Sequence, residues 1–305
     1  MHLGNASSAL LAWLSVRSAG GTFVLRMEDL DANRSRADLA RQVLDDLRWL
    51  GLDWDEGPDA GGPFGPYDQG SRAALYEAAV AELRERGLVY PCFCSRKDVA
   101  AAAGAPQSPG DELFYPGICR GLDPAAAAAR LERGERHAWR FRVDPGTRIA
   151  FDDLVRGHFT ADRPPGDFVV GRSDGVAAYQ LAVVVDDVAM RITEVVRGDD
   201  LLPSTARQLL LYDAFGRLPP RFGHVPLLLD REGVRLSKRQ KGITLRELRD
   251  GGWTAPGIVG RLAHAIGLRP SPRPVPAAAL IGGFTLAGLA RAPEGIVVDP
   301  ARWSR

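Results

Sequence analysis

Apolar positions recur at helical spacing near the start of the chain. Asn5 to Ala19 is rich in Ala, Ser and Leu and is closed by Gly20-Gly21, so the pattern predicts a helix. Thr22-Phe23-Val24-Leu25-Arg26 follows as a predicted strand. A second helix is expected after Ser35, whose side chain can cap it, with Leu39, Val43, Leu47 and Leu50 along one face. A third covers Ser71 to Arg86 and stops at Gly87. Helix, strand and helix in this order point to a wound α/β sheet.

From Tyr90 to about Pro165 the pattern changes. An Ala-rich stretch runs from Ala125 to Ala129, and Trp139, Phe141 and Val143 alternate with Arg140 and Arg142 as a half-buried strand does. This segment reads as an inserted, mixed subdomain. Beyond it, Leu181 to Val185 and Ile192 to Val196 are expected as buried strands, Ser204 to Phe215 as a helix closed by Gly216, and Val225 to Leu229 as another strand. Thr244 and Glu247 form a capping box, and helical structure is expected to about Gly267. After Arg269 the chain is rich in Pro, Ala and Gly, with an apolar segment from Ala277 to Leu289. The organisation expected is residues 1–89 and 166–243 as two halves of one α/β domain, 90–165 inserted between them, and 244–305 as a short helical C-terminal part.

Composition narrows the class only modestly. The 305 residues are 45% hydrophobic and 25% charged, which suits a folded globular protein of about two domains. A net charge of +1 means that any polyanion must be met by a local patch. No apolar run is long enough to span a bilayer and no secretory signal opens the chain, so a cytoplasmic protein with no membrane contact is expected.

All three cysteines fall in one window, as Cys92-Phe93-Cys94 and then Cys119. An odd count argues against a disulfide framework. Thiolates at i and i+2 with a third from a later loop can converge on zinc, whose structural sites take four ligands. Tyr115, Asp111, a histidine or water are the candidates for the fourth; the alternative is three buried thiols.

Charged motifs carry the remaining chemistry. Arg235-Leu236-Ser237-Lys238-Arg239 places cations where a triphosphate gathers negative charge in its transition state. His2-Leu3-Gly4-Asn5 opens the first helix with small residues, where backbone and helix N-terminus can approach phosphate. Arg26-Met27-Glu28-Asp29-Leu30-Asp31 follows a predicted strand and can receive an ammonium group or simply form a solvated acidic turn. Arg197 can fork a carboxylate, or pair with Asp199 or Asp200, and Tyr179 precedes the predicted strand at Leu181.

Taken together, these motifs and Val195-Val196-Arg197-Gly198-Asp199-Asp200 resemble, in order and spacing, the catalytic core of class I glutamyl-tRNA synthetases over about Met1 to Gly267. Within that family the chain looks like the glutamyl-queuosine tRNA(Asp) synthetases, a group without an anticodon-binding domain. The resemblance implies a Rossmann-like nucleotide-binding α/β domain with a zinc-bearing insertion, and activation of L-glutamate by ATP, accompanied by Mg2+. Transfer to the queuosine base of tRNA(Asp) would follow, by a monomer. It implies that His2, Gly4, Asn5, Ser237 and Lys238 contact ATP, with His2 and Lys238 catalytic. Glu28 would take the substrate ammonium, Tyr179 and Arg197 its carboxylate end, and Cys92, Cys94, Tyr115 and Cys119 would hold one structural Zn2+. Two other readings stand beside it: a shortened synthetase charging tRNA(Glu), and a catalytically silent RNA-binding relative. Members of the family carry a strand and an Arg-x-Ala-Pro-Ser-Pro-Thr-Gly turn before the His motif. Their absence ahead of His2 leads to the expectation that the start was assigned too late.

Overall fold

The computed structural model describes residues 1–31, 37–102, 115–161, 164–236, 243–289, 295–299 and 303. In chain order the helices are α1 (Leu3–Ser18), α2 (Ala37–Trp49), α3 (Ala73–Glu85), α4 (Arg96–Ala102), α5 (Pro124–Glu132), α6 (Tyr179–Ala189), α7 (Leu202–Ala214), α8 (Leu245–Asp250) and α9 (Ala255–Ala265). The strands are β1 (Val89–Cys92), β2 (Ala138–Phe141), β3 (Ala150–Asp153), β4 (Gly157–Thr160), β5 (Phe168–Gly171), β6 (Glu194–Gly198), β7 (Arg221–Val225), β8 (Leu228–Leu229) and β9 (Ile296–Val297). They form an antiparallel sheet in the order β1-β2-β5, a mixed sheet in the order β4-β3-β7-β6, and a short parallel pair, β8-β9. In the mixed sheet β3, β7 and β6 run parallel and β4 returns antiparallel to β3. The architecture is α/β with mixed sheets.

Two larger cores organise the chain. One gathers Leu3, Leu10, Leu11 and Leu14 of α1 with Leu245 and Leu248 of α8, Ile258 and Leu262 of α9, and Trp303, so the C-terminal elements close over the first helix. The other packs α3, α6 and α7 against β2 and β5. Leu11 has no solvent exposure. Its replacement by Ala removes buried methyl groups and leaves a cavity, and Leu11→Ala is expected to cost about 3 kcal/mol. Chemical denaturation checks this: the midpoint should fall with an unchanged slope.

The predicted strand Thr22–Arg26 forms no ladder. Val24 and Met27 make isolated parallel bridges to Glu56 and Asp68, with Leu25 N–H and Met27 N–H donating to the Glu56 and Tyr67 carbonyls. The opposing segment explains this, because Pro58, Pro63 and Pro66 lack N–H donors and Gly61 and Gly62 take positive φ, so it offers no continuous edge.

The second difference is larger. Leu181 to Val185 lies inside α6 rather than in a strand. A short buried apolar run fits either structure, and the flanking polar residues decide. The helix turns Asp186 toward Arg72, Gln69 and Tyr76, and Asp187 toward Arg26 and Tyr212. The predicted strand at Val225–Leu229 divides into the end of β7 and the short β8, with Pro226 between them. Strand Ile192–Val196 is observed two residues later as β6, which brings Arg197 into the sheet. In α2 Leu47 is buried as expected, as is Leu50 just after it, but Leu39 is exposed. The capping box at Thr244 is formed in full, with Glu247 N–H donating to the Thr244 side chain and Thr244 N–H to the Glu247 carboxylate.

Candidate active site

The start of α1 is fastened to the chain near its far end. His2 bridges Thr244 antiparallel, Leu3 N–H donates to the Ile243 carbonyl, and Leu245 N–H donates to the Met1 carbonyl. Leu236 is buried in the same core as Leu3. Both described ends of the segment carrying Ser237, Lys238 and Arg239 are therefore fixed beside the first helix. Ser237, Lys238 and Arg239 themselves, and Asp111, lie outside the described residues.

A pocket of about 330 Å³ opens between α1 and the carboxyl end of β6. Its α1 wall is Gly4, Ser8 and Ala12, spaced four apart on one stripe, with Asn5 and Ala9 beside them. A Cβ built on Gly4 would meet nothing within 4 Å, so this wall leaves room for a ligand to approach the backbone. The opposite wall carries Arg197, Gly198, Asp200 and Arg235, with Arg235 Nη1 donating to Asp200 Oδ2 at 2.7 Å. His2 caps α1 with extended backbone geometry, and its buried Nδ1 has no hydrogen-bond partner among the described residues. A buried ring nitrogen without a partner is costly unless a ligand or water meets it.

Arg197 is the electrostatic centre of this pocket. Its Nε donates to His224 Nε2 at 3.1 Å, and its Nη2 donates to Thr205 Oγ1 and Gln208 Oε1, each at 2.8 Å. All three partners are neutral or polar, and neither Asp199 nor Asp200 pairs with it. Asp199 instead faces Arg156, and Asp200 faces Arg235. Burial lowers the pKa of the guanidinium, as expected for a cation without a bonded carboxylate.

Two other predicted residues, Tyr179 and Glu28, lie within electrostatic reach of this arginine, and Arg26 lies beside Glu28. Burial and the Glu28 carboxylate push Tyr179 up to about 12, against the opposing influence of Arg197 and Arg26. Glu28 keeps a half-exposed carboxylate 3.2 Å from Arg26 Nη2. Arg26 donates to Asp187 at 2.7 Å; burial works against its charge, but Asp187 and Glu28 outweigh burial and raise its pKa. Arg197 thus supplies a guanidinium and Glu28 a carboxylate, both within electrostatic reach of the Tyr179 phenol. That is the charge pattern an α-amino acid requires. Asp29 accepts Gly70 N–H at 2.8 Å, so part of the acidic motif does serve a turn.

A larger cleft of about 720 Å³ lies elsewhere, between α3 and the β1-β2-β5 sheet, lined by Asp29, Tyr76, Glu77, Arg84 and Trp139 among others. Its size exceeds that of the α1 pocket, but the unpaired cation and the small-residue wall belong to the smaller one. Sequence reasoning missed His224, Asp153, Thr205 and Gln208, which support Arg197. The only sequence signals were Thr and Gln spaced three apart on one helix and a lone His in an apolar strand.

The cysteines meet as expected. The Sγ atoms of Cys92, Cys94 and Cys119 lie within 4.8 Å of one another, and those of Cys94 and Cys119 are 3.5 Å apart. Tetrahedral zinc with Zn–S bonds of about 2.3 Å places sulfurs about 3.8 Å apart, so the cluster has the right size. The Tyr115 hydroxyl lies 3.4 Å from Cys92 Sγ and 3.8 Å from Cys94 Sγ, and accepts Cys119 N–H at 2.8 Å. Without a metal, burial and the Cys119 thiol push Cys94 up to about 12. Arg140 lies over the Tyr115 ring at 3.8 Å and favours negative charge at the cluster.

The chain is similar to known proteins over most of its length. Residues 1–259 match the family described as tRNA synthetases class I (E and Q), catalytic domain. A glutamyl-Q tRNA(Asp) synthetase of Symbiobacterium thermophilum is 52% identical over 303 residues, covering 98% of this chain and 93% of the relative. One from Nitratidesulfovibrio vulgaris is 51% identical over 273 residues, covering 88% and 84%. The crystal structure of a glutamate tRNA ligase from Elizabethkingia meningosepticum in complex with its amino acid superposes with a TM-score of 0.81 at 24% identity. It matches 99% of this chain, which spans 65% of that longer one, and at this identity it supports the fold alone. No described helix is long and apolar enough to cross a membrane. The chain thus belongs to the class I aminoacyl-tRNA synthetases of the E and Q family, has their α/β fold with mixed sheets, and is a ligase.

Proposed function

We propose that this ligase activates L-glutamate with ATP and transfers it to the queuosine base of tRNA(Asp), acting as a cytoplasmic monomer. The observation that carries the first half is the Arg197 guanidinium, which lines the α1 pocket and is hydrogen-bonded to His224, Thr205 and Gln208 rather than to a carboxylate. The two glutamyl-Q tRNA(Asp) synthetases at 52% and 51% identity support the second half.

In this reading Arg197 and Tyr179 hold the carboxylate end of glutamate and Glu28 its ammonium. His2, Gly4, Asn5 and Ser237 contact ATP in the Rossmann-like half of the fold. A glutamate carboxylate oxygen attacks the α-phosphorus, the bond to the bridging oxygen breaks, and pyrophosphate leaves with the electron pair. Lys238 stabilises the charge that develops on the phosphate. Magnesium bound to the ATP phosphates would neutralise part of their charge. No enzyme nucleophile is needed, because orientation and electrostatic stabilisation suffice for in-line displacement. In the second step the queuosine base takes the glutamyl group and AMP departs.

Zinc at Cys92, Cys94, Cys119 and Tyr115 would supply cross-linking between β1 and the following loops rather than chemistry. About one zinc per chain is expected by elemental analysis, and Cys94→Ser should lower both the zinc content and the thermal midpoint. Unchanged zinc content in that variant would remove the cluster from the reading.

The functional test has two stages. Glutamate-dependent exchange of label between pyrophosphate and ATP is expected first. Labelled glutamate should then pass to queuosine-containing tRNA(Asp), and not to tRNA(Asp) lacking queuosine or to tRNA(Glu). Stable charging of tRNA(Glu) instead would make the chain a short glutamyl-tRNA synthetase, whereas no exchange at all would favour the silent RNA-binding relative.

A further inference from the structure

Three adjacent parallel strands carry a line of hydrogen-bonding groups into the pocket. Asp153 closes β3, His224 lies in β7, and Arg197 lies in β6 directly across from His224 in the ladder. His224 Nδ1 is 2.6 Å from Asp153 Oδ2, and His224 Nε2 receives Arg197 Nε at 3.1 Å. The His224 and Asp153 side chains are fully buried.

The chemistry of the partners fixes the ring's protonation. Asp153 accepts the backbone N–H groups of Val155, Arg156 and His224, at 2.8 to 3.2 Å. Burial works against its charge, but the His224 ring and these N–H groups outweigh burial and hold it below the usual carboxylate range. An ionised carboxylate only accepts, so Nδ1 must carry a proton. An arginine Nε only donates, so Nε2 must present its lone pair. Thr205 Oγ1 also lies 3.1 Å from Nε2 and can donate to it, since its own lone pairs are available to Arg197 Nη2. The tautomer with hydrogen on Nδ1 suits Asp153 and Arg197 together, and its single Nε2 lone pair is shared between Arg197 Nε and the Thr205 hydroxyl. Phe222 stacks on the ring and Phe151 lies tilted beside it, so both neighbours outside the line are apolar.

We infer that Asp153 and His224 are positioning residues for the substrate carboxylate. Asp153 locks the imidazole in the tautomer whose Nε2 accepts from Arg197, and this bond aims the guanidinium into the pocket. The remaining grips are neutral too. Thr205 and Gln208 of α7 share Nη2, and Gln208 is held by Gln180, which is held by Ser204. A carboxylate in place of His224 would fix the arginine as well, but would cancel the charge the ligand needs. A neutral imidazole gives direction and leaves the charge available. The inference rests on the proposed reading of Arg197 as the carboxylate-binding group.

The test compares Asp153→Asn, His224→Asn, His224→Gln and Arg197→Lys by pyrophosphate exchange, together with ¹⁵N chemical shifts of the histidine rings. The wild-type spectrum should contain a buried neutral ring with hydrogen on Nδ1. An Asn at 153 offers an N–H to the ring, should reverse the tautomer, and sets Nε2–H against Arg197 Nε–H. The glutamate KM is expected to rise on the order of tenfold, the loss of about one charged hydrogen bond, while the ATP KM stays. His224→Asn, whose amide reaches only the place of Nδ1, should behave in the same way. His224→Gln can place its amide oxygen where Nε2 was, and should recover most of that loss.

Equal glutamate KM values in the two His224 variants, or an ATP KM that moves in step, would reduce His224 to a packing residue and overturn the inference. If these variants fail to fold, the wild-type ring decides alone, because hydrogen on Nε2 overturns the proposed line. An unchanged glutamate KM in Arg197→Lys would instead defeat the carboxylate reading, and the tautomer would still be visible in the spectrum.

Discussion

Lys238→Ala is expected to lower kcat for glutamate activation by a factor on the order of 10² to 10³, with a thermal midpoint close to that of the wild type. The expected size is that of one preorganised charge acting on a transition state in a site shielded from bulk water. The segment bearing Lys238 joins Leu236, buried beside α1, to Ile243, whose carbonyl accepts Leu3 N–H. Both anchors lie near the head of α1, where Gly4 leaves open space. The anchors are the buried Leu236 side chain and backbone hydrogen bonds at Ile243 to Leu245, so folding should be spared. The measurement is single-turnover adenylate formation at saturating ATP and glutamate, alongside a melting curve. A rate within a factor of about three of wild type would remove Lys238 from the chemistry.

Arg197→Met should act on binding rather than on turnover. Losing both charged hydrogen bonds to a carboxylate costs about 3 to 4 kcal/mol, so the glutamate KM is expected to rise by about 10² or more while the ATP KM holds. The effect on folding has two opposing parts. Methionine relieves the cost of a partly buried cation with no bonded carboxylate, but it leaves Gln208 Oε1 without its donor. A midpoint within a few degrees of wild type is therefore expected. A large fall in stability with an unchanged glutamate KM would show that Arg197 is a structural group.

The sequence was most legible where the physics is local. The glycines after α1, α3 and α7 mark their ends, with Gly20, Gly87 and Gly216 all at positive φ, and the Thr244–Glu247 capping box is formed as its spacing implies. Cys92, Cys94, Tyr115 and Cys119 converge as expected of close sequence neighbours. Legibility failed where tertiary partners decide. The Leu181–Val185 run is helical because Asp186 and Asp187 find buried partners on two different sides, which no periodicity announces. Thr22–Arg26 has strand-like composition, but the proline-rich segment opposite offers no ladder. At Arg197 the sequence suggested Asp199 and Asp200 as ordinary partners because they are close in number. The sheet instead presents His224 from the next strand and Thr205 and Gln208 from α7. Contacts between residues far apart in number were visible only as a list of motifs whose order resembled a family.

The backbone pairing of Met1–Leu3 with Ile243–Leu245 also sets a timetable for synthesis. The first helix is made well before the segment that pairs with its amino end. At translation speeds of roughly 5–20 residues per second, α1 waits about 12–50 s for the residues that hold its amino end in place. A nascent chain released before residue 245 would carry both larger sheets but lack the full backbone pairing that holds the start of α1.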